Sequence, residues 1–228
     1  MGSEQIVRID LEEEERRIQP ELEDWLPRLG DTLLISTGEA AFVDCTGATG
    51  WGEERSPVGR NSLYSSGYLL AADRLVESLL GAAFEDALIY PIFYLYRHHV
   101  ELELKGSISL FLNWLHGGTS EERDKQLQKL TREHSIQALW DTLKSLAPQI
   151  AAQMPAAATE AFESLVQQIN THDGKSEAAR YAFYRDGKQT LLGVDEVNLH
   201  NLRVQFHKVS HYLGAFKEAI HQEIDPEE

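Results

Sequence analysis

The chain has 228 residues, 42% apolar and 25% charged, a composition that builds a buried core without disulfides or metals. Cys45 is the single cysteine, which excludes an internal disulfide. The formal net charge of −16 repels phosphate backbones, so it argues against a broad nucleic-acid face and favours basic partners or plain solubility; a small basic pocket inside an acidic shell stays open.

Residues 1–24 form an acidic segment with the run Glu12-Glu13-Glu14-Glu15, a surface helix or a disordered tail. Met1–Arg17 has no apolar stretch, so no signal peptide is expected. Residues 25–60 change character. Thr32–Thr37 and Ala40–Asp44 are short β-type runs joined through Gly38-Glu39, which predicts a small hairpin appendage, and Thr46–Gly59 reads as a Gly-rich loop. Gly47–Gly52 lacks the Lys-Ser/Thr of a phosphate loop, and Cys45 has no base beside it.

Helical periodicity begins near Asn61 and defines a domain over 61–224. The first helix should end near Gly81, and Pro91 should sit in the first turn of the next, which runs to about His116 with Gly117-Gly118 as its stop. Thr119 and Glu122 fit a capping box. Helices over His134–Leu146 and Ala157–Ile169 follow, the former stopping at Pro148. Ala179–Tyr184, between Asp173-Gly174 and Asp186-Gly187, reads as extended structure or a hairpin. The last helix, Val197–Ile224, carries Leu199, Leu202, Phe206, Val209, Leu213, Phe216 and Ile220 on one stripe. The predicted fold is mainly α, an antiparallel bundle with the small N-terminal hairpin. The longest apolar run, Ala87–Tyr96, is too short to cross a bilayer, so a cytoplasmic protein without membrane contact is expected.

On the helix after Pro91, Tyr90, Phe93, Tyr94, Val100, Leu104, Ile108, Phe111, Leu112 and Leu115 share a face. Arg97 and Glu101 fall in its middle, four residues apart, with Lys105 at its edge. Charges on a core stripe need partners. The pair therefore either fixes helix register or lines a pocket where Arg97 holds an anion and Glu101 moves a proton. His98 and His99 lie off the stripe, on the surface or between helices. His134 opens a helix, where its neutral form is favoured, and could join Arg97 and Glu101. His200, Arg203, His207 and His211 lie opposite the last helix's stripe; His207 and His211 have metal-sharing spacing but no Glu between them, so no metal and no cofactor is expected. That face, or the side bearing Tyr96, His99 and Trp114, could form a homodimer.

Several stretches occur together: Ser66–Asp73, Tyr90–Lys105, Glu133–Trp140 and Ala179–Phe183. The combination resembles bacterial helical proteins akin to the HEPN superfamily, over roughly Asn61–Leu213. The resemblance implies a short helical bundle, and a metal-independent RNase or a partner module in stress, toxin–antitoxin or anti-phage systems. The family's nuclease motif is Arg, four to six residues, then His, and no Arg here has that spacing. The resemblance then implies a catalytically degenerate module that binds a protein or nucleotide through a polar cleft. Its candidate catalytic residues are Arg97, Glu101 and His134, and its candidate binding residues are Lys105, His98 and Arg180. Two alternatives stay open: an RNase with an atypical site, and an acidic partner that neutralises a basic toxin or nucleic-acid-binding protein.

Overall fold

The computed structural model describes residues 57–79, 86–117, 120–191 and 194–224, all within the unit Asp44–Glu228. The acidic segment, the hairpin, residues 46–56 of the expected Gly-rich loop, Cys45, Gly81 and Thr119 lie outside the described residues, whereas Pro57, Val58 and Gly59, expected in that loop, already belong to the first helix.

Seven α-helices make up this region: α1 Pro57–Leu79, α2 Ile89–Leu115, α3 Glu121–Arg132, α4 Ile136–Leu146, α5 Pro148–Gln153, α6 Ala156–Asp173 and α7 Leu199–Ile224. They form a mainly α, antiparallel bundle, with no sheet among the described residues. No described helix is long and apolar enough to cross a membrane.

Helix α2 is the central rod, packed chiefly on α1 and then on α4 and α7. It is covered on more than one side. Ile92, Tyr96 and His99 are buried together with Val100, Leu104, Ile108, Phe111 and Leu112. Tyr90 and Leu115, expected on the core face, are exposed because they lie at the ends of the rod. Burial of Tyr96 and His99 also removes them from any dimer face, leaving Trp114 alone of the three exposed.

The α7 stripe buries Phe206, Val209, Leu213, Phe216 and Ile220, and Leu199 and Leu202 pack partly buried against the core. Trp140 of α4 anchors the other half of the core. Its ring meets Phe162, Phe216 and Tyr212 edge-on at 4.8, 5.4 and 5.9 Å, the geometry that aromatic quadrupoles favour.

Helix ends follow local chemistry. Gly117 takes φ +61 just past α2, where its N–H reaches the Trp114 carbonyl at 3.2 Å; a side chain would disfavour that left-handed turn. Ser120, not Thr119, caps α3: it is extended, and its side chain accepts from the Arg123 N–H at 3.0 Å. Glu122 is thereby one residue short of the capping-box position and accepts from Gln126 instead, at 3.1 Å. Ser135 caps α4, so His134 precedes that helix rather than opening it. As expected, α4 stops at Leu146, with Ala147 held out of helical geometry ahead of Pro148, which also opens the short α5, where its missing N–H costs little. Between α6 and α7, an isolated antiparallel bridge joins Phe183 to Gln189. Its turn holds Gly187 at φ +82, with the Gly187 N–H on the Tyr184 carbonyl at 2.9 Å.

Candidate functional site

Arg97 is fully buried and Glu101 is 2% exposed, in the middle of α2. One helical turn brings Arg97 Nη1 to Glu101 Oε2 at 2.9 Å. The rest of the guanidinium is spent on other elements. Nε donates to the Asp173 carbonyl at 3.0 Å and lies 3.4 Å from Asp173 Oδ2 at the end of α6. Nη2 donates to the His134 carbonyl ahead of α4. Arg97 thus ties α2 to the α3–α4 junction and to the end of α6.

Glu101 Oε1 meets Lys105 Nζ at 2.9 Å and His134 Nδ1 at 2.9 Å. Burial alone would push the Glu101 carboxyl up; the Lys105 and His134 hydrogen bonds and the neighbouring positive charges outweigh it and hold it below its usual range. An ionised Glu101 requires a proton on His134 Nδ1. In the neutral imidazole that leaves Nε2 as an acceptor, on a side chain 54% exposed. Two cations, Arg97 and Lys105, then face two anions, Glu101 and Asp173. The group balances without any ligand.

Asp173 is the member that the sequence reading passed over as a turn residue. Its Oδ1 accepts from the backbone N–H groups of Glu177 and Ala178, at 2.6 and 2.9 Å. A signal was present: an acid at the end of a helix opposes the macrodipole unless a cation holds it.

His98 and Arg180 belong to a neighbouring arrangement. His98 meets Tyr68 of α1 edge-on at 4.6 Å and stacks on Tyr94 at 5.5 Å. Burial pushes its pKa down. The Arg180 guanidinium lies over Tyr94 at 5.8 Å and over Tyr181 at 5.4 Å, within cation–π range. Its Nε donates to the Ser176 carbonyl, and among the described residues neither terminal nitrogen has an acidic partner. A stack Tyr68–His98–Tyr94–Arg180–Tyr181 results. Beside it opens a cavity of about 480 Å³ bordered by Tyr90, Arg180, Tyr181, Phe183 and Thr190. Tyr90, Tyr181 and Phe183 are 50%, 58% and 62% exposed. Burial pushes the Tyr94 phenol up, keeping it a neutral ring.

A third cluster centres on Asp73 of α1. It accepts from Tyr96 Oη at 2.7 Å and pairs with Arg203 Nε at 3.1 Å and His207 Nε2 at 3.0 Å. Arg203 also reaches Glu77 at 3.0 Å. Arg203 and His207 therefore fasten α7 to α1, while His200 and His211 face solvent. No group of three or more metal-ligating side chains assembles among the described residues.

The four residues Arg97, Glu101, Lys105 and His134 come together; His98 and Arg180 stand apart from them, joined to each other through Tyr94. Arg97, sealed from solvent with a protein acceptor on each nitrogen, cannot meet an incoming anion in this arrangement. Comparison with family models, curated proteins and solved structures returns no match to this chain.

Proposed function

We propose that this chain is a HEPN-like helical binding module of a bacterial stress or defence system, catalytically degenerate, and that it takes a nucleotide-type ligand on the Arg180 shelf. The observation that carries the reading is the arrangement around Arg180. A guanidinium whose two terminal nitrogens pair with no acid among the described residues sits among aromatic rings at the edge of a cavity. Rings stack a base, and the guanidinium pairs bidentately with phosphate. The net charge of −16 favours one nucleotide or a short strand end over a long polyanion. The absence of the Arg-x(4–6)-His spacing and the burial of Arg97, with an internal acceptor on each nitrogen, support the degenerate reading.

Isothermal titration with AMP, ATP and GTP tests it. The native chain should bind at least one of them, and Arg180→Ala should weaken binding about tenfold, the loss of roughly one charge-assisted contact. No heat with any of the three, or an unchanged affinity in Arg180→Ala, overturns the reading.

One observation favours a second reading. His134 presents an exposed ring backed by the Glu101 carboxylate, the arrangement of a general base. An atypical RNase would cleave single-stranded RNA without metal and lose that activity in His134→Ala.

A further inference from the structure

A second cavity, of about 230 Å³, is distinct from the one at the Arg180 shelf and is lined by the start of α2, the end of α6, Leu191, Val194 and Val197, and the first half of α7. Its walls are Phe93, Ile169, Leu191, Val194, Leu202 and Val209, and among the described residues no Asp, Glu, Lys or Arg lines it. Its polar lining is Gln168 and His172 of α6 and, along an edge on α7, Asn201 and Gln205. Gln205 Nε2 donates to Asn201 Oδ1 at 2.9 Å. Among the described residues this leaves the Gln205 Oε1 acceptor and the Asn201 Nδ2 amide donors without protein partners. The edge suits a neutral hydroxyl or amide and has no fixed charge for an ionised group.

Leu191 strengthens the case for a built site. It is a branched residue at φ +51, a conformation L side chains rarely adopt. The chain on either side fixes it: buried Thr190 donates through Oγ1 to the Tyr181 carbonyl at 2.7 Å, and the Val194 N–H reaches the Leu191 carbonyl at 3.1 Å. Backbone strain of this kind concentrates where a protein positions a side chain for a ligand.

We infer that this cavity binds a small uncharged molecule with an apolar body and one hydrogen-bonding head. A dry cavity of roughly 150 Å³ walled by Leu, Ile and Phe takes up benzene. The larger volume here accommodates a substituted ring or an alkyl chain of about six to eight carbons. The body fills the apolar walls, and the head reaches the Asn201–Gln205 edge.

The test is calorimetric titration of the full chain with n-alkanols from butanol to decanol. Affinity should rise about fourfold per added methylene, then level off once the cavity is full, near octanol. Leu202→Trp, which fills the cavity, should abolish this binding, whereas Arg180→Ala should leave it intact; a failure here is thereby separate from a failure of the nucleotide reading. If Leu202→Trp does not fold, Val197→Trp at the cavity mouth takes its place. Absence of chain-length-dependent binding, or binding unchanged in the folded filling variant, overturns the inference.

Discussion

Arg97 and Arg180 are the same residue type in opposite circumstances. Arg97 is buried, and all three guanidinium nitrogens donate inside the protein. Arg180 is exposed, stacked on two tyrosines, with a single hydrogen bond to a backbone carbonyl among the described residues. A buried charge must be matched during folding, so its partners are part of the fold. An exposed charge held by stacking keeps its donors for something else. The difference separates a keystone from a contact surface, and it follows from burial and partners rather than from residue identity.

The comparison breaks most sharply through stability. Arg97→Ala leaves Asp173 buried without its cation and Glu101 with Lys105 alone, and should cost about 3–5 kcal/mol in urea denaturation, whereas Arg180→Ala should stay within about 0.5 kcal/mol. Next comes the exposed rim of the keystone. His134→Ala removes one hydrogen bond to a carboxylate that keeps Lys105 and Arg97, so the loss should be about 1 kcal/mol by the same assay. A cap far from both arginines gives a reference of similar size: Ser120→Ala removes the acceptor for the Arg123 N–H and should cost about 1 kcal/mol.

The smallest effects concern pH. The folded state depresses the Glu101 carboxyl, so its contribution is present above the unfolded value of 4.5 and is lost as pH falls through the lower folded value. Burial depresses His98 and His99 as well. For these bases the unfolded chain takes up protons first, so stability should begin to fall as pH drops below about 6.5. Denaturation midpoints from pH 8 to 2 should decline in two stages, and Glu101→Gln should shrink the lower one, to which Glu163 also contributes. A midpoint that rises below pH 6.5 would contradict the burial of the two histidines.

Much of this was legible in the sequence. The 3.6-residue period of α2 put Arg97 and Glu101 inside an apolar face, and the pair is buried there. His134 was placed beside them as a candidate third member, and its ring does reach Glu101. Partners far along the chain were not legible. Asp173 lies 76 residues from Arg97, and Asp73 lies 134 from His207, so only the folded topology joins them. For the same reason Arg203 and His207 read as a free polar face, although they clamp α7 to α1. Tyr96 and His99 looked peripheral because a single-face reading of α2 does not foresee a rod covered on several sides.

The claim that Arg180, not Arg97, is the arginine that meets a ligand can be read directly from guanidinium signals in a nitrogen-15 NMR titration with AMP. The Arg180 resonances should shift with added nucleotide while the slowly exchanging Arg97 resonances stay fixed. Shifts at Arg97 with Arg180 unmoved would contradict it.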